Sequence, residues 1–236
     1  MIGIIGAMEQ EVRHLRDALE GSRTLKAGSL EFHSGLLEGR EVTLLKCGVG
    51  KTNAAVGCAL LIELFKPEAI LNTGSAGGVM PGLSFGDLVL STGLLYHDVD
   101  VCAFGYKPGQ IPEQPQIFET SKSMLSAAEA AFAELQKEKI LPETMHFYEG
   151  IIATGDAFMH RTDEIARLRR VFPEVAAVEM EGAAIAHCCA LLSVPTLAVR
   201  ALSDIAGAKS PVSFAEFLPV AAKRSAEMVR RIVRNS

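Results

Sequence analysis

Acidic side chains at three points in this chain sit where solvation alone gives them little reason to be. Glu11 stands just past Gly6-Ala7-Met8, where an apolar run gives way to an amphipathic one. A carboxylate there can stabilise the positive end of a helix, or it can serve as a general base at a strand-to-helix corner. Glu179 and Glu181 lie inside the strongly apolar Val178-Glu179-Met180-Glu181-Gly182-Ala183-Ala184. Acids are rarely buried without a partner, so at least one of the two has a task. Extended backbone would put both on one side, whereas a helix would splay them by about 200°; one acid is expected to face a ligand, and not both. Asp204 ends Val199-Arg200-Ala201-Leu202-Ser203-Asp204, an apolar run closing in a polar pair. It can cap the next element of the chain or stand at a strand's C-terminal end, where α/β active sites form.

Two glycine segments flank these acids. Asn72-Thr73-Gly74-Ser75-Ala76-Gly77-Gly78 follows a short apolar run, and glycines there would let a ligand approach the backbone. Gly48-Val49-Gly50-Lys51-Thr52 looks like half of a phosphate loop, but Leu45 stands where the first glycine of that pattern belongs. Without it the backbone N–H groups cannot wrap a phosphate, so a tight strand-to-helix turn is the better reading. The six histidines show no His-x-x-x-His spacing, and His97-Asp98-Val99-Asp100 reads as a solvated loop. No metal and no cofactor are expected.

The elements that must position these residues alternate in type. Strands are expected over residues 1–6, 30–37, 41–47, 69–72, 87–92, 147–153, 175–178 and 196–202, with a loop over 72–78. Helices are expected over 9–19, 51–65, 121–139, 163–172, 181–191 and 214–233. Strands separated by helices imply a mixed or largely parallel sheet covered by helices on both faces. The Gly/Pro-rich segment 97–118 is too long for a plain connector and suits a lid or an interface. No repeat or linker divides the chain, and residues 1–236 are expected to form a single domain.

The 236 residues are 49% hydrophobic, enough for a sizeable core, and carry a formal net charge of −5. That sign argues against a general nucleic-acid or membrane-surface binder. Five cysteines, an odd number without Cys-x-x-Cys spacing, point to reduced thiols and a cytoplasmic location. No apolar run reaches the ~20 residues of a spanning helix, and the N-terminus lacks the basic flank of a signal peptide.

In order along the chain, Gly3-Ile4-Ile5-Gly6-Ala7-Met8-Glu9-Gln10-Glu11, Asn72-Thr73-Gly74-Ser75-Ala76-Gly77-Gly78, Thr154-Gly155-Asp156-Ala157-Phe158, Val178-Glu179-Met180-Glu181 and Arg200-Ala201-Leu202-Ser203-Asp204 together resemble the 5′-methylthioadenosine/S-adenosylhomocysteine nucleosidases of the nucleoside phosphorylase/hydrolase superfamily. The resemblance implies a three-layer α/β/α sandwich with a central mixed, partly barrel-like sheet. It also implies a homodimer with a composite active site, a nucleoside substrate, and a place in methionine salvage and removal of methyl-cycle by-products. By matching position, it makes Glu11 the base that activates water, with Ser75 and Arg200 holding that water and Glu11. Met180 and Glu181 would bind the ribose, Phe158 would stack on the purine, and the Met159 backbone would read the purine edge. Asp204, supported by Ser203, would protonate purine N7. Met8, Val49 and Phe214 would line the 5′-alkylthio pocket, joined by Val101, Phe104 and Pro112 of the neighbouring subunit. Residues 136–147 look several residues longer than in typical members and would lengthen a surface connection.

These residue types suit glycosidic cleavage. Positive charge develops on the sugar as the bond breaks, and carboxylates beside it in water-poor surroundings stabilise that charge. The departing base needs a proton, so Asp204 must hold one near neutral pH, while Glu11 must be ionised enough to take one from water. Related phosphorylases carry an arginine where this chain has the neutral Asn72, and another near the position of Glu11. Water is therefore the expected nucleophile. The competing expectations are a purine nucleoside phosphorylase, a nucleoside-binding protein without turnover, and an ATP-binding protein using Gly50-Lys51-Thr52.

Overall fold

The computed structural model describes residues 1–205 and 210–236, with side chains of the last helix described from residue 214 onward. In chain order the strands are β1 (Ile2–Gly6), β2 (Glu20–Ala27), β3 (Leu30–Leu37), β4 (Arg40–Lys46), β5 (Ala69–Gly78), β6 (Leu88–Tyr96), β7 (Phe118–Glu119), β8 (Phe147–Thr154), β9 (Val175–Glu179) and β10 (Thr196–Ile205). The helices are α1 (Glu9–Asp17), α2 (Lys51–Phe65), α3 (Lys122–Lys137), α4 (Thr162–Val171), α5 (Gly182–Leu191) and α6 (Ser210–Asn235), and a 3-10 turn spans Cys102–Phe104.

Ten strands join in one mixed sheet. β1 lies parallel between β4 and β5, and the antiparallel hairpins β4–β3–β2 extend that edge. At the other end the sheet curls back: β5 pairs with β10, β10 with β6, β6 with β8, β8 with β9, and β9 with β5. The result is a closed ring, the barrel-like part that the resemblance implies.

Period-two alternation feeds a core on each face. Ile2 and Ile4 of β1, with Leu197, Val199 and Ala201 of β10, pack with Val12 and Leu15 of α1, the alanines of α3 and the apolar stripe of α6. Their neighbours Ile5, Ala198 and Leu202 pack on the other face with Ala54, Cys58 and Leu61 of α2 and Ala183 to Ala186 of α5. Helices on both faces of the sheet make three layers. A third cluster gathers Ile165 and Leu168 of α4 with Leu95, Ala153 and Val178. Among the described residues, no helix is long and apolar enough to cross a membrane.

The structure departs from the sequence expectations in several places. The glycine segment after Asn72 is not a loop but the second half of β5, because its backbone pairs with β10 as far as Gly78 and with β9 at Gly77 and Gly78. Small residues let that strand bend to close the ring. β2 was not expected at all: it is an exposed edge strand, polar on both sides, without the alternation that marks a half-buried strand. Helix α6 starts at Ser210 rather than Phe214. The connection over residues 138–146 is not merely a surface extension, since Leu141 and Met145 are buried in the first core.

Candidate active site

Strand and helix ends converge on one pocket of about 100 Å³, whose walls include Glu11, Ser75, Phe158, Met180, Glu181 and Asp204. Met8, Val49, Ser203 and Phe214 also line it. A small adjoining space of about 30 Å³ shares Phe158 and Asp204 and adds Met159. A larger cavity of about 430 Å³ lies between α4 and the segment after β6, bounded by His97, Asp98, Arg167 and Met159. Glu11, Glu181 and Asp204 are not among its lining residues.

Glu11 stands both at the helix end and in the pocket wall, where each reading of the sequence needs it. As the third residue of α1 it reaches back so that the Ala7 and Met8 N–H groups donate to Oε2, each at 3.0 Å, in a capping arrangement. Its other oxygen, Oε1, accepts from the Ser75 N–H at 2.9 Å and the Ser75 hydroxyl at 3.0 Å. Four donors thus fix a carboxyl that is nearly buried and still forms part of the pocket wall. Gly74 permits this approach, because a Cβ there would lie 2.9 Å from Glu11 Oε1.

Asp204 arrives from the far side of the ring. The parallel register of β10 on β5 shifts between Leu202 and Asp204, a bulge at Ser203. Bulges re-aim side chains, and this one breaks the alternation that feeds the core just where the acid meets the pocket. The Ser203 hydroxyl donates to Asp204 Oδ1 at 3.2 Å, and Asp204 is 2% exposed.

Glu181 precedes α5 and accepts from the Gly50 N–H at 2.8 Å. Burial, and then the negative charge of Glu179, push its pKa up to about 8. Glu179 is spoken for: Arg200 donates to it at 2.6 Å, Thr154 donates through its hydroxyl, and the N–H groups of Glu181 and Gly182 donate at 3.1 and 2.8 Å. Of the two acids in this motif, Glu181 has the carboxyl left for a ligand. Arg200 is fully buried and also donates to the carbonyl and side-chain oxygen of Asn72, while Asn72 donates to the Ile5 carbonyl at 2.9 Å.

A family model described as the phosphorylase superfamily matches residues 1–234. The chain is 42% identical to a Neisseria meningitidis 5′-methylthioadenosine/S-adenosylhomocysteine nucleosidase solved with methylthio-immucillin-A, covering 100% of this chain and 99% of that one at a TM-score of 0.95. The corresponding nucleosidase of Colwellia psychrerythraea 34H, solved with adenine, is 41% identical over 99% of this chain and 94% of that one, TM-score 0.94. That of Streptococcus pneumoniae, in complex with 8-aminoadenine, is 38% identical over 100% and 99%, TM-score 0.92. The chain belongs to the 5′-methylthioadenosine/S-adenosylhomocysteine nucleosidases.

Within this nucleosidase most of the residues singled out from the sequence share one cavity: Met8, Glu11, Val49, Ser75, Phe158, Met180, Glu181, Ser203, Asp204 and Phe214, with Met159 alongside. Arg200 is not a wall of it; its hydrogen bonds go to Glu179 and Asn72 rather than to Glu11. Val101, Phe104 and Pro112 do not line it either, and Phe104 is 80% exposed on its 3-10 turn. Lys51, the cation of the half phosphate loop, is taken by Asp98 at 2.7 Å. Sequence reading gave no role to Thr154 or the Gly50 N–H, and took Asn72 only as the neutral residue where phosphorylases carry an arginine. The signal for Thr154 was present, a hydroxyl closing a strand before Gly155-Asp156, but only the fold shows what it faces.

Proposed function

We propose that this pocket hydrolyses the N-glycosidic bond of 5′-methylthioadenosine and S-adenosylhomocysteine, releasing adenine and the 5′-substituted ribose. The observation that carries the reading is the pocket wall itself: Glu11, Glu179, Glu181 and Asp204 are among its described residues, and no Lys, Arg or His is. A cationic, oxocarbenium-like sugar is favoured there. A phosphate ion is not, since two like charges at 4 Å repel by about 4 kcal/mol at an effective dielectric near 20. The phosphorylase alternative would need a cation in the wall, and Arg200 is committed to Glu179 behind it.

In this reading Glu11 takes a proton from the attacking water. Ser75 holds Glu11 in place, and Arg200 contributes charge from behind, with its Nε unpartnered among the described residues. Asp204, oriented by Ser203, donates to purine N7 so that adenine leaves neutral. Phe158 stacks on the base, the Met159 backbone reads its edge, and Met180 and Glu181 hold the ribose hydroxyls. Met8, Val49 and Phe214 accept the 5′-thioether, a soft apolar group suited to such a lining. Phe158 and Phe214 meet edge to face with centroids 5.7 Å apart.

The active form is a homodimer in which the exposed segment carrying Val101, Phe104 and Pro112 completes the partner's thioether pocket. The five free thiols suit a reducing cytoplasm, where the reaction would serve methionine salvage. The test is adenine release from a panel of 5′-substituted adenosines with and without phosphate. Release unaffected by phosphate, with free 5-substituted ribose as product, is expected. A ribose 1-phosphate product would transfer the chain to the phosphorolytic branch, and binding without release would make it a nucleoside-binding protein.

A further inference from the structure

Glu181 stands at the N-cap of α5, yet its own side chain makes no capping bond. An N-cap side chain ordinarily turns back to satisfy the first free N–H groups of its helix. Here other residues do that work. Glu179 accepts the N–H groups of Glu181 and Gly182, and the Thr154 hydroxyl, from β8, accepts the N–H of Ala183 at 2.7 Å. The Glu181 carboxyl is thereby released from the helix end and reaches across to the Gly50 N–H at the start of α2.

The cap is itself braced. Thr154 donates to Glu179 Oε1, and Arg200 donates to Oε2 at 2.6 Å. Arg200 is held in turn by Asn72, and Asn72 by the Ile5 carbonyl of β1. The Glu179 and Arg200 side chains are only 3% and 2% exposed, so their pairing is shielded from solvent. Gly182 leaves room for this carboxyl, because a Cβ there would lie 3.1 Å from Glu179 Oε1 and 2.5 Å from Leu94 Cδ2. The bonds run continuously from β1, close to Glu11, through β5 and β10 to the end of α5.

We propose that Glu179, braced by Arg200 and Thr154, is the positioning residue that turns the Glu181 carboxyl toward the sugar, and so sets recognition of the ribose hydroxyls. This rests on the hydrolase reading above. Glu179 lines the same pocket, but its carboxylate is taken up by four donors, so it acts through the helix end that it caps. Removing it leaves the N–H groups of Glu181 and Gly182 unsatisfied, and the nearest replacement acceptor is Glu181 itself, folding back out of the pocket.

The test uses the full chain and compares 5′-methylthioadenosine with analogues lacking the 2′- or the 3′-hydroxyl, read as adenine release. The wild type is expected to prefer the full ribose. Glu179→Ala, which removes both acceptor oxygens, should lose at least about tenfold of that preference, mainly through KM, and Thr154→Val an intermediate part. Asp204→Asn should lower turnover on all three substrates while keeping the preference. Thr154→Val is a near-isosteric change and keeps the test decisive if Glu179→Ala does not fold. Folded variants of Glu179 and Thr154 that retain the wild-type preference would overturn the proposal, whatever their overall rate. A wild type that releases no adenine from any of the three would instead overturn the functional reading on which it rests.

Discussion

Glu11 and Glu181 are the same side chain at the N-terminal ends of two helices, one on each face of the sheet, and their surroundings are opposite. Glu11 collects four donors, two from its own helix end and two from Ser75 of β5. Glu181 has the Gly50 N–H and the neighbouring charge of Glu179, and burial pushes its pKa up to about 8. A helix N-terminus alone does not decide what an acid does there. The number of donors that other strands bring decides it: the richly bonded acid has a fixed direction and suits proton abstraction, while the sparsely bonded one keeps capacity for a ligand's hydroxyls.

The largest effect should come from the fixed acid. Glu11→Gln is expected to cut kcat at least about a hundredfold, the general acid–base range, and Asp204→Asn should do the same from the other side of the pocket. Steady-state adenine release measures both, and near-normal turnover in either variant removes that residue from its role. Glu181→Ala should act on binding instead, lowering kcat/KM by about ten- to a hundredfold, the cost of leaving buried ribose hydroxyls without their partner. If Glu181→Ala changed kcat alone, the distinction drawn between the two glutamates would be lost.

A third prediction concerns stability. The unfolded chain releases the Glu181 proton near the ordinary value of 4.5, whereas the folded chain keeps it up to about pH 8. Between those values the native state binds more protons, so this group makes stability fall as pH rises, with its cost complete above pH 8. Thermal unfolding of Glu181→Gln across pH 5 to 8.5 should show a shallower decline than the wild type; parallel curves would show that the buried acid carries no such cost.

The smallest effect belongs to Glu9, the other acid in the first turn of α1. It pairs with Arg16 and Lys46, and its side chain is 43% exposed. Glu9→Ala should cost no more than about 1 kcal/mol, as for most solvent-exposed ion pairs, and leave adenine release unchanged. A large loss of activity would mean that any acid at this helix end matters, and not the donor set around Glu11.

The sequence alone carried the element order, because alternation and helical period survive in strands and helices that bury one face. It missed β2, whose polar edge strand is made by pairing with β3 and not by burial. It read the glycine segment as a loop because small residues carry no period; that segment is strand only because β10 and β9 lie beside it. Glu11, Ser75, Glu181 and Asp204 were legible as candidates from their residue types, local context and resemblance to a family. The partners they met were not legible. That Arg200 would pair with Glu179, that Gly50 would reach Glu181 across 131 positions of sequence, and that a bulge at Ser203 would redirect Asp204 are consequences of ring closure. Local sequence fixes what a side chain can do, through its chemistry and its place in an element. Which groups it faces depends on long-range strand pairing, and only the tertiary structure decides that.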